Sequence, residues 1–431
     1  MTYTFEAGKE KLIDDVVQCV KRKMPKKKAE LCSEFIRQFF NTVGLEDLRC
    51  WSINDLCYAS IHFWSTIQTR QYGKPVINIY NPCSERDGWK STYTVLEVVA
   101  VDVPFLVDSI RMTVNRLGFS SQLIMHIGGM RVERSKDREV SAIYSPHGEP
   151  HADVILEAAI LMEMNQELNE TMLQALKTRL ELVLRDNQAV VDDWPLMREK
   201  VQESIDELES SPASLDTFEV EETQLFLKWI EDHHFTFLGI RDYELFQNKN
   251  DLTLKAVPET GLGVLRESLH PSTESNISKM TPEARELTLS SRILVMSKTN
   301  TLATVHRDAY TDYIGIKRFN AEGNVIGERR ILGLYTSAAY NTNPKHIPFL
   351  RHKVAKVMKN SLMSPRSHAG KVLLNILETL PRDDLIQGLE DELLQMCLGI
   401  FHMQERRRIR LFARMDVYRR FVSCLLYIPK E

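Results

Sequence analysis

The chain has 431 residues, a length that predicts about three domains, and its 43% hydrophobic and 26% charged content is that of an ordinary folded protein. A formal net charge of −4 and a pI near 6.3 argue against a general attraction to nucleic acid. No apolar run reaches the roughly 18 residues that span a bilayer. The polar start MTYTFEAGKE and seven cysteines without a CxxC spacing predict reduced thiols in a cytoplasmic protein.

Residues 1–74 read as helical, with apolar residues near 3.6 spacing in KLIDDVVQCV and LCSEFIRQFF. The basic run KRKMPKKK (21–28), broken by Pro25, is expected to be a solvated helix end, not a nucleic-acid or membrane patch. KPVINIYNP predicts a strand stopped by Asn-Pro. Then TYTVLEVVAV, β-branched and nearly continuous, predicts a central buried strand. The following VDVPFLVDSIRMTVNRLGF predicts a helix beginning at Pro104, capped by Asp102 or the backbone near Val103. Leu106, Ile110, Val114 and Leu117 give that helix a sheet-facing stripe, and Gly118 ends it. SSQLIMHI and DVILEAAILMEM predict two more strands, so the order is βαββα, the opening of a ferredoxin-like unit within 75–208. LVLRDNQAVVDDW continues as helix to a Ser/Pro linker at 209–214, where a boundary is expected.

From 215 to 337 the helix EETQLFLKWIEDHH, the hairpin FTFLGIRDYELF/LTLKAV and the strands DYIGIKRF and VIGERRILGLYT predict a mostly antiparallel sheet with helices. FLRHKVAKVMKNS, HAGKVLLNILETL (stopped by Pro381) and LEDELLQMCLGIFHMQE predict a helical connector over 345–404. RLFARM and SCLLYI, within 405–431, predict a hairpin with no helix to cover it. Two strands cannot bury both faces alone, so further chain or a partner is expected to complete the unit.

The motifs of common enzymes are absent from this sequence. The nearest approach to G-x-G-x-x-G is Gly261-Leu262-Gly263, which lacks a third glycine and is expected to be a flexible turn. Gly370-Lys371 lacks the upstream glycine of a phosphate loop, and no GxSxG occurs. No catalytic, cofactor-binding or metal-ligating residue is assigned. His147 and His151 flank Glu149, but Gly148 and Pro150 forbid the helix that would put both imidazoles on one face, so a solvated loop is expected. His233 and His234 are adjacent and are expected to cap carbonyls at a helix end.

Two groups of residues remain as candidates. At the strand–helix turn, Asp102, Phe105, Asp108, Ser109 and Arg111 form a small polar site or a domain interface. First-turn amides offer donors to an anion and the two carboxylates attract an amine, which suits an amino acid. The plain alternative is that Asp102 caps the helix and Asp108 pairs with Arg111 or Asn115 on its surface. Farther along, Lys298, His306, Arg307, Asp308, Asp312, Lys317 and Arg318 gather on and near strands. Alternation puts Tyr313, Gly315, Lys317 and Phe319 on one face. That face is either solvated, an anion site or a charged interface.

NPCSERDGW, VDVPFLVDSIRMTVNRLGF, FTFLGIRDYEL, HRDAYTDYIGIKRFNAEGNVIGERRILGLYTSAAY, LLNILETLPRDDLIQ and ERRRIRLFARMDVYRRFVSCLLYIPKE resemble the N-terminal region of the large bacterial NAD-specific glutamate dehydrogenases. The resemblance covers residues 75–431. It implies an α+β chain with a helical N-terminus, a ferredoxin-like (ACT-like) unit, a PAS-like antiparallel sheet unit, a helical segment and the start of a further ACT-like unit. It implies that catalysis lies in a separate downstream domain, with NAD as cofactor of the intact protein and none in this segment. The expected role is regulation and assembly, with the downstream catalytic domain, copies of the chain and an amino-acid effector as partners. The alternative is a free-standing amino-acid sensor acting in trans. Departures from the family pattern are Val101 and Val103 around Asp102, Val417 and Arg419 in RMDVYRR, which predict a looser hairpin, and no evident fourth strand in the first ACT-like unit.

Overall fold

A computed structural model describes residues 2–146, 154–248, 251–271, 275–403, 406 and 408–428. His147, Glu149 and His151 lie outside the described residues. The chain divides into two units, the first comprising residues 1–188 and 304–307, the second 189–303 and 308–431. The division falls inside one long helix, and the 209–214 segment lies wholly in the second unit.

The first unit opens with α1 (Thr2–Lys23), α2 (Lys26–Asn41), α3 (Leu45–Arg49) and α4 (Ile53–Gln68). Pro25 separates α1 from α2, and Ser52 caps α4 through the Asp55 amide. Phe35, Phe39 and Phe63 form an aromatic knot with centroids 5.2–5.6 Å apart. The sheet follows: β1 (Val76–Tyr80), the short α5 (Ser84–Asp87), β2 (Tyr93–Val101), α6 (Leu106–Arg116), β3 (Ser121–Arg134), β4 (Val140–Tyr144) and β5 (Val154–Asn165). Its order is β1-β2-β5-β3-β4, antiparallel throughout.

This order explains the strand that the sequence after β5 does not supply. β2–α6–β3 and β5 form the core of a ferredoxin-like sheet. The place beside β2 is filled by β1, from upstream instead of downstream. The near-continuous apolar run of β2 has its reason in three layers. Val95 and Val99 join a core with α1, α2 and α4. Leu96, Val98 and Ala100 join a second core with Ile110 and Val114 of α6 and Leu173, Leu176 and Leu180 of α7 (Glu170–Glu209). Residues 1–74 thus share a core with the sheet. Each fully buried aliphatic contributes roughly 1.5–3 kcal/mol.

The helix after β2 starts later than expected. Pro104 lies in a turn, Phe105 is the N-cap in a left-handed conformation (φ 67°, ψ 4°), and no side chain caps the helix. The C-terminus behaves as predicted. Gly118 has φ 85°, its N–H donates to Asn115 O, and the Phe119 N–H reaches Val114 O at 3.2 Å.

The second unit contains the rest of α7, then α8 (Thr217–Trp229), one π-helical turn (Ile230–His234) and β6 (Phe235–Asn248). His233 has φ 57°, which stops the helix. The His234 ring stacks on Trp229 at 4.4 Å with Nδ1 2.8 Å from the Trp229 carbonyl, the capping role expected. β7 (Asp251–Ala256), β8 (Leu262–Gly263), β9 (Ser275–Asn276), α9 (Pro282–Leu289), β10 (Leu294–Leu302), β11 (Tyr310–Phe319) and β12 (Val325–Tyr335) follow. The sheet runs β10-β11-β12-β6-β7-β9, with β8 also on β6. Gly261-Leu262-Gly263 is therefore not a flexible turn. Gly263 has φ 59° and a Cβ there would lie 2.2 Å from Leu238 O, so only glycine permits this close pairing.

The C-terminal part is α10 (Ser337–Asn341), α11 (Leu350–Asn360), α12 (His368–Thr379), α13 (Arg382–Gln387), α14 (Glu390–Phe401), β13 (Arg410–Met415) and β14 (Val422–Tyr427). Buried Lys353 on α11 donates to the carbonyls of Leu385, Ile386 and Gly388, closing the end of α13. The β13–β14 hairpin anchors one face through Arg414, on Asp384 and Gln387, and Ser423, on Asp384. The other face carries Leu411, Met415, Val422 and Leu426, all half or more exposed. Its turn is tight, not loose. Asp416 accepts from the amides of Tyr418 and Arg420 and from Ser297 Oγ, which holds Arg419 at φ 55°. No helix among the described residues is long and apolar enough to cross a membrane.

Candidate functional site

The first-unit turn is built from β2 outward. Past Val101, the Asp102 N–H donates to Leu156 O at 2.9 Å. The Asp102 carboxylate accepts from the Gly129 N–H at 2.6 Å, inside a bulge of β3 where the pairing with β5 shifts between Ile127 and Met130. Asp102 therefore ties two strands together and does not cap α6.

Phe105, held left-handed, places its ring 4.4 Å from that of His306, which is itself at φ 79°. Ser109 is fully buried, and its Oγ accepts from the His306 N–H at 3.1 Å. Thr304 Oγ1 donates to Asp186 Oδ2 at 2.8 Å and Val305 is fully buried. Residues 304–307 thus form part of the first unit and occupy the opening of α6. Burial lowers the pKa of His306, the Arg307 charge acts the same way, and Asp108 opposes both. The His306 Nδ1 has no hydrogen-bond partner among the described residues. Asp108 and Arg111 are exposed. Of the five residues predicted at the turn, the structure brings Phe105 and Ser109 onto one partner, His306. It turns Asp102 toward the sheet and leaves Asp108 and Arg111 on the surface.

The second predicted cluster does not assemble. His306 and Arg307 belong to the first unit. In the second, Lys298 and Asp312 pair across β10 and β11 at 2.6 Å, with Asp383 3.4 Å from the same ammonium. Lys317 lies apart, its ammonium bonded to Leu287 O, Ser290 O and Ser290 Oγ at the end of α9. Burial lowers the Lys317 pKa to about 8. Tyr313 and Lys317 are buried, so the face they share is not solvated, and Asp312 on the opposite face of β11 is buried as well.

Burial pushes the Asp312 carboxyl up to about 6, with Lys298 pulling down and Asp383 adding to the rise. The folded value lies above the unfolded one of about 3.9. The contribution of this group to stability is therefore full below about pH 4 and lost as pH rises through about 6. Asp312→Asn should remove that slope. Between those pH values the native chain should lose about 3 kcal/mol relative to the variant in urea unfolding. Parallel pH curves for the two proteins would contradict this assignment.

Sequence reasoning missed the buried ion pairs. Glu157 on β5 holds Arg70 and Arg134, and Arg329 on β12 holds Asp242 on β6. Their only signal was charge inside an otherwise apolar strand, one acid in ILEAAIL and three charged residues in GERRIL. Among the described residues no group of three His, Cys, Asp or Glu side chains is placed to hold a metal ion.

Three family models match along the chain: the glutamate dehydrogenase ACT1 domain over residues 35–180, its helical motif 1 over 347–406 and its ACT2 domain over 410–431. The chain is 36% identical over 421 residues to the NAD-specific glutamate dehydrogenase of Halomonas elongata, covering 97% of this chain and 26% of that protein. It is 34% identical to the same-named protein of Pseudomonas aeruginosa, over 92% of this chain and 24% of the other. With the Mycobacterium tuberculosis protein of that name it shares 26% identity over 78% of this chain and 20% of the relative. The chain spans about a quarter of the length of the first two relatives. These domain matches fall on the five-stranded sheet, the helical segment and the β13–β14 hairpin, and with the two relatives above 30% identity they show that the chain belongs to the NAD-specific glutamate dehydrogenase family, as its N-terminal region.

Proposed function

We propose that these 431 residues form a non-catalytic regulatory and assembly region of a cytoplasmic NAD-dependent glutamate dehydrogenase. Oxidation of L-glutamate to 2-oxoglutarate and ammonium, with reduction of NAD, takes place in a downstream catalytic domain. The observation that carries this reading is the occupied α6 turn. The Ser109 hydroxyl and the Phe105 ring, which would face a ligand, are used by His306 inside the unit. Among the described residues no acid hydrogen-bonds the Nδ1 of that imidazole, as an oriented catalytic base would need, so the corner suits the transmission of position. Support for assembly comes from β13–β14, whose apolar face of Leu411, Met415, Val422 and Leu426 suits completion by the rest of an ACT-like unit. Homo-oligomer formation and control by an amino-acid effector belong to the same reading.

The experiment is made on the full-length enzyme. His306→Ala should leave the effector-free kcat for glutamate within about twofold of the native value. It should change the response to amino-acid effectors or the assembly state. A loss of kcat of about a hundredfold or more in a folded variant would place this corner in the catalytic machinery and overturn the reading.

A further inference from the structure

A pocket in the second unit carries chemistry that the α6 turn does not account for. The last turns of α7, the segment 210–212, the end of β11 and the start of β12 enclose a cavity of about 260 Å³. Its walls are Leu208, Pro212, Phe319 and Ile326, and Ile326 is 43% exposed, so the cavity opens to solvent on that side.

The charged residues on the wall are Glu207, Lys317 and Arg318, and the Lys317 ammonium is already bonded to Leu287 and Ser290 at the end of α9. The Arg318 guanidinium lies 3.8 Å from Glu207 and 3.9 Å from Asp242, both beyond hydrogen-bond reach. The short bonds of those acids go to Arg329. Asp242 meets it at 2.7 and 3.1 Å, and Glu207 Oε1 meets it at 3.3 Å. Among the described residues Arg318 thus has no side-chain hydrogen bond, and its planar fork of donors matches a carboxylate. The second oxygen of Glu207, Oε2, faces Arg318 without bonding it and is open to an ammonium group. Ser211, also on the wall, offers a hydroxyl with no hydrogen bond among the described residues.

Charge decides the ligand class. Arg318, Arg329 and Lys317 stand against Asp242, Glu207 and Glu203, so the neighbourhood carries no net charge. A bare anion gains little there, and a bare cation meets the guanidinium. A molecule that carries both charges as substituents of one carbon meets a partner for each. We propose that this pocket binds a small aliphatic α-amino acid, with its carboxylate on Arg318, its ammonium on Glu207 and its side chain against Phe319 and Ile326. The proposal goes beyond the regulatory reading and stands on binding alone, so either can fail without the other.

The test is calorimetric titration of the purified 431-residue chain with L-valine and L-leucine. The controls are 3-methylbutanoate, which lacks the amine, and isobutylamine, which lacks the carboxylate. At least one amino acid should saturate a single site, and both controls should bind at least about tenfold more weakly. Arg318→Ala should abolish binding, and Glu207→Gln should narrow the gap between the amino acids and 3-methylbutanoate. Ile326→Trp fills the mouth from an exposed position without touching a charge, so it should abolish binding even if a charge variant misfolds. Absence of saturable binding of both amino acids overturns the proposal. So does binding that survives Arg318→Ala or Ile326→Trp, and so does equal binding of 3-methylbutanoate.

Discussion

Glu157→Ala should destabilise the first unit by about 3–5 kcal/mol, the largest effect of any single substitution considered for it. Glu157 is fully buried on β5 and accepts from two guanidiniums. Arg134 binds it with Nε and Nη2 at 2.7 and 2.8 Å, and Arg70 with Nη2 at 2.7 Å. Arg70 is itself fully buried, so removing the carboxylate strands two positive charges away from water. The remaining acceptors, carbonyls of Gln71, Lys74, Ile67, Gln68 and Arg138, do not neutralise them. Burial alone would raise the Glu157 pKa, but the bonds from Arg134 and Arg70 hold it below the ordinary carboxylate value. The folded pKa is depressed, so this stabilisation is present above the unfolded value of about 4.3 and lost as pH falls through the folded one. Denaturant unfolding of native chain and variant should converge in acid. An equal gap at all pH values would contradict the ion-pair account.

Asp242→Ala should cost the second unit about 3 kcal/mol, at the lower end of the range for a broken buried pair. Arg329 is only 3% exposed on its side chain, and Asp242 accepts two bonds from it, at 2.7 and 3.1 Å. The effect is tempered because Ser204 Oγ and Glu207 remain within 2.9 and 3.3 Å of the guanidinium. Removing both partners, as in Asp242→Leu with Arg329→Met, should recover much of the loss, since no uncompensated charge stays buried. A double variant as unstable as the sum of the single ones would show that the pair does not act as a unit.

Much of the fold was legible because it follows from periodicity. The 3.6 spacing of α1, α2 and α6 and the unbroken apolar run of β2 each reflect which faces are buried. Gly118 announced the end of α6 because a left-handed residue after a helix favours glycine. Its start was illegible for the same reason. Phe105 adopts that conformation without being glycine, held by contacts that sequence spacing does not reveal. The contact that defines the candidate site joins Ser109 to His306 across 197 residues. No local pattern encodes such a pairing, so the two groups of candidates read as separate although the fold brings His306 of the second onto Phe105 and Ser109 of the first. The edge strand β1 was visible as a strand, but its place beside β2 depends on topology. Buried Glu97, which binds His62, Thr66 and Tyr80, and Glu157 were visible only as single acids within apolar strands.

The most direct test of the central claim is glutamate-dependent NAD reduction by the purified 431-residue chain, measured by NADH absorbance beside the full-length enzyme. The account predicts NADH formation by the full-length enzyme and none above background by the chain alone. Sustained NADH formation by the chain, abolished by a substitution within it that leaves the fold intact, would contradict the account.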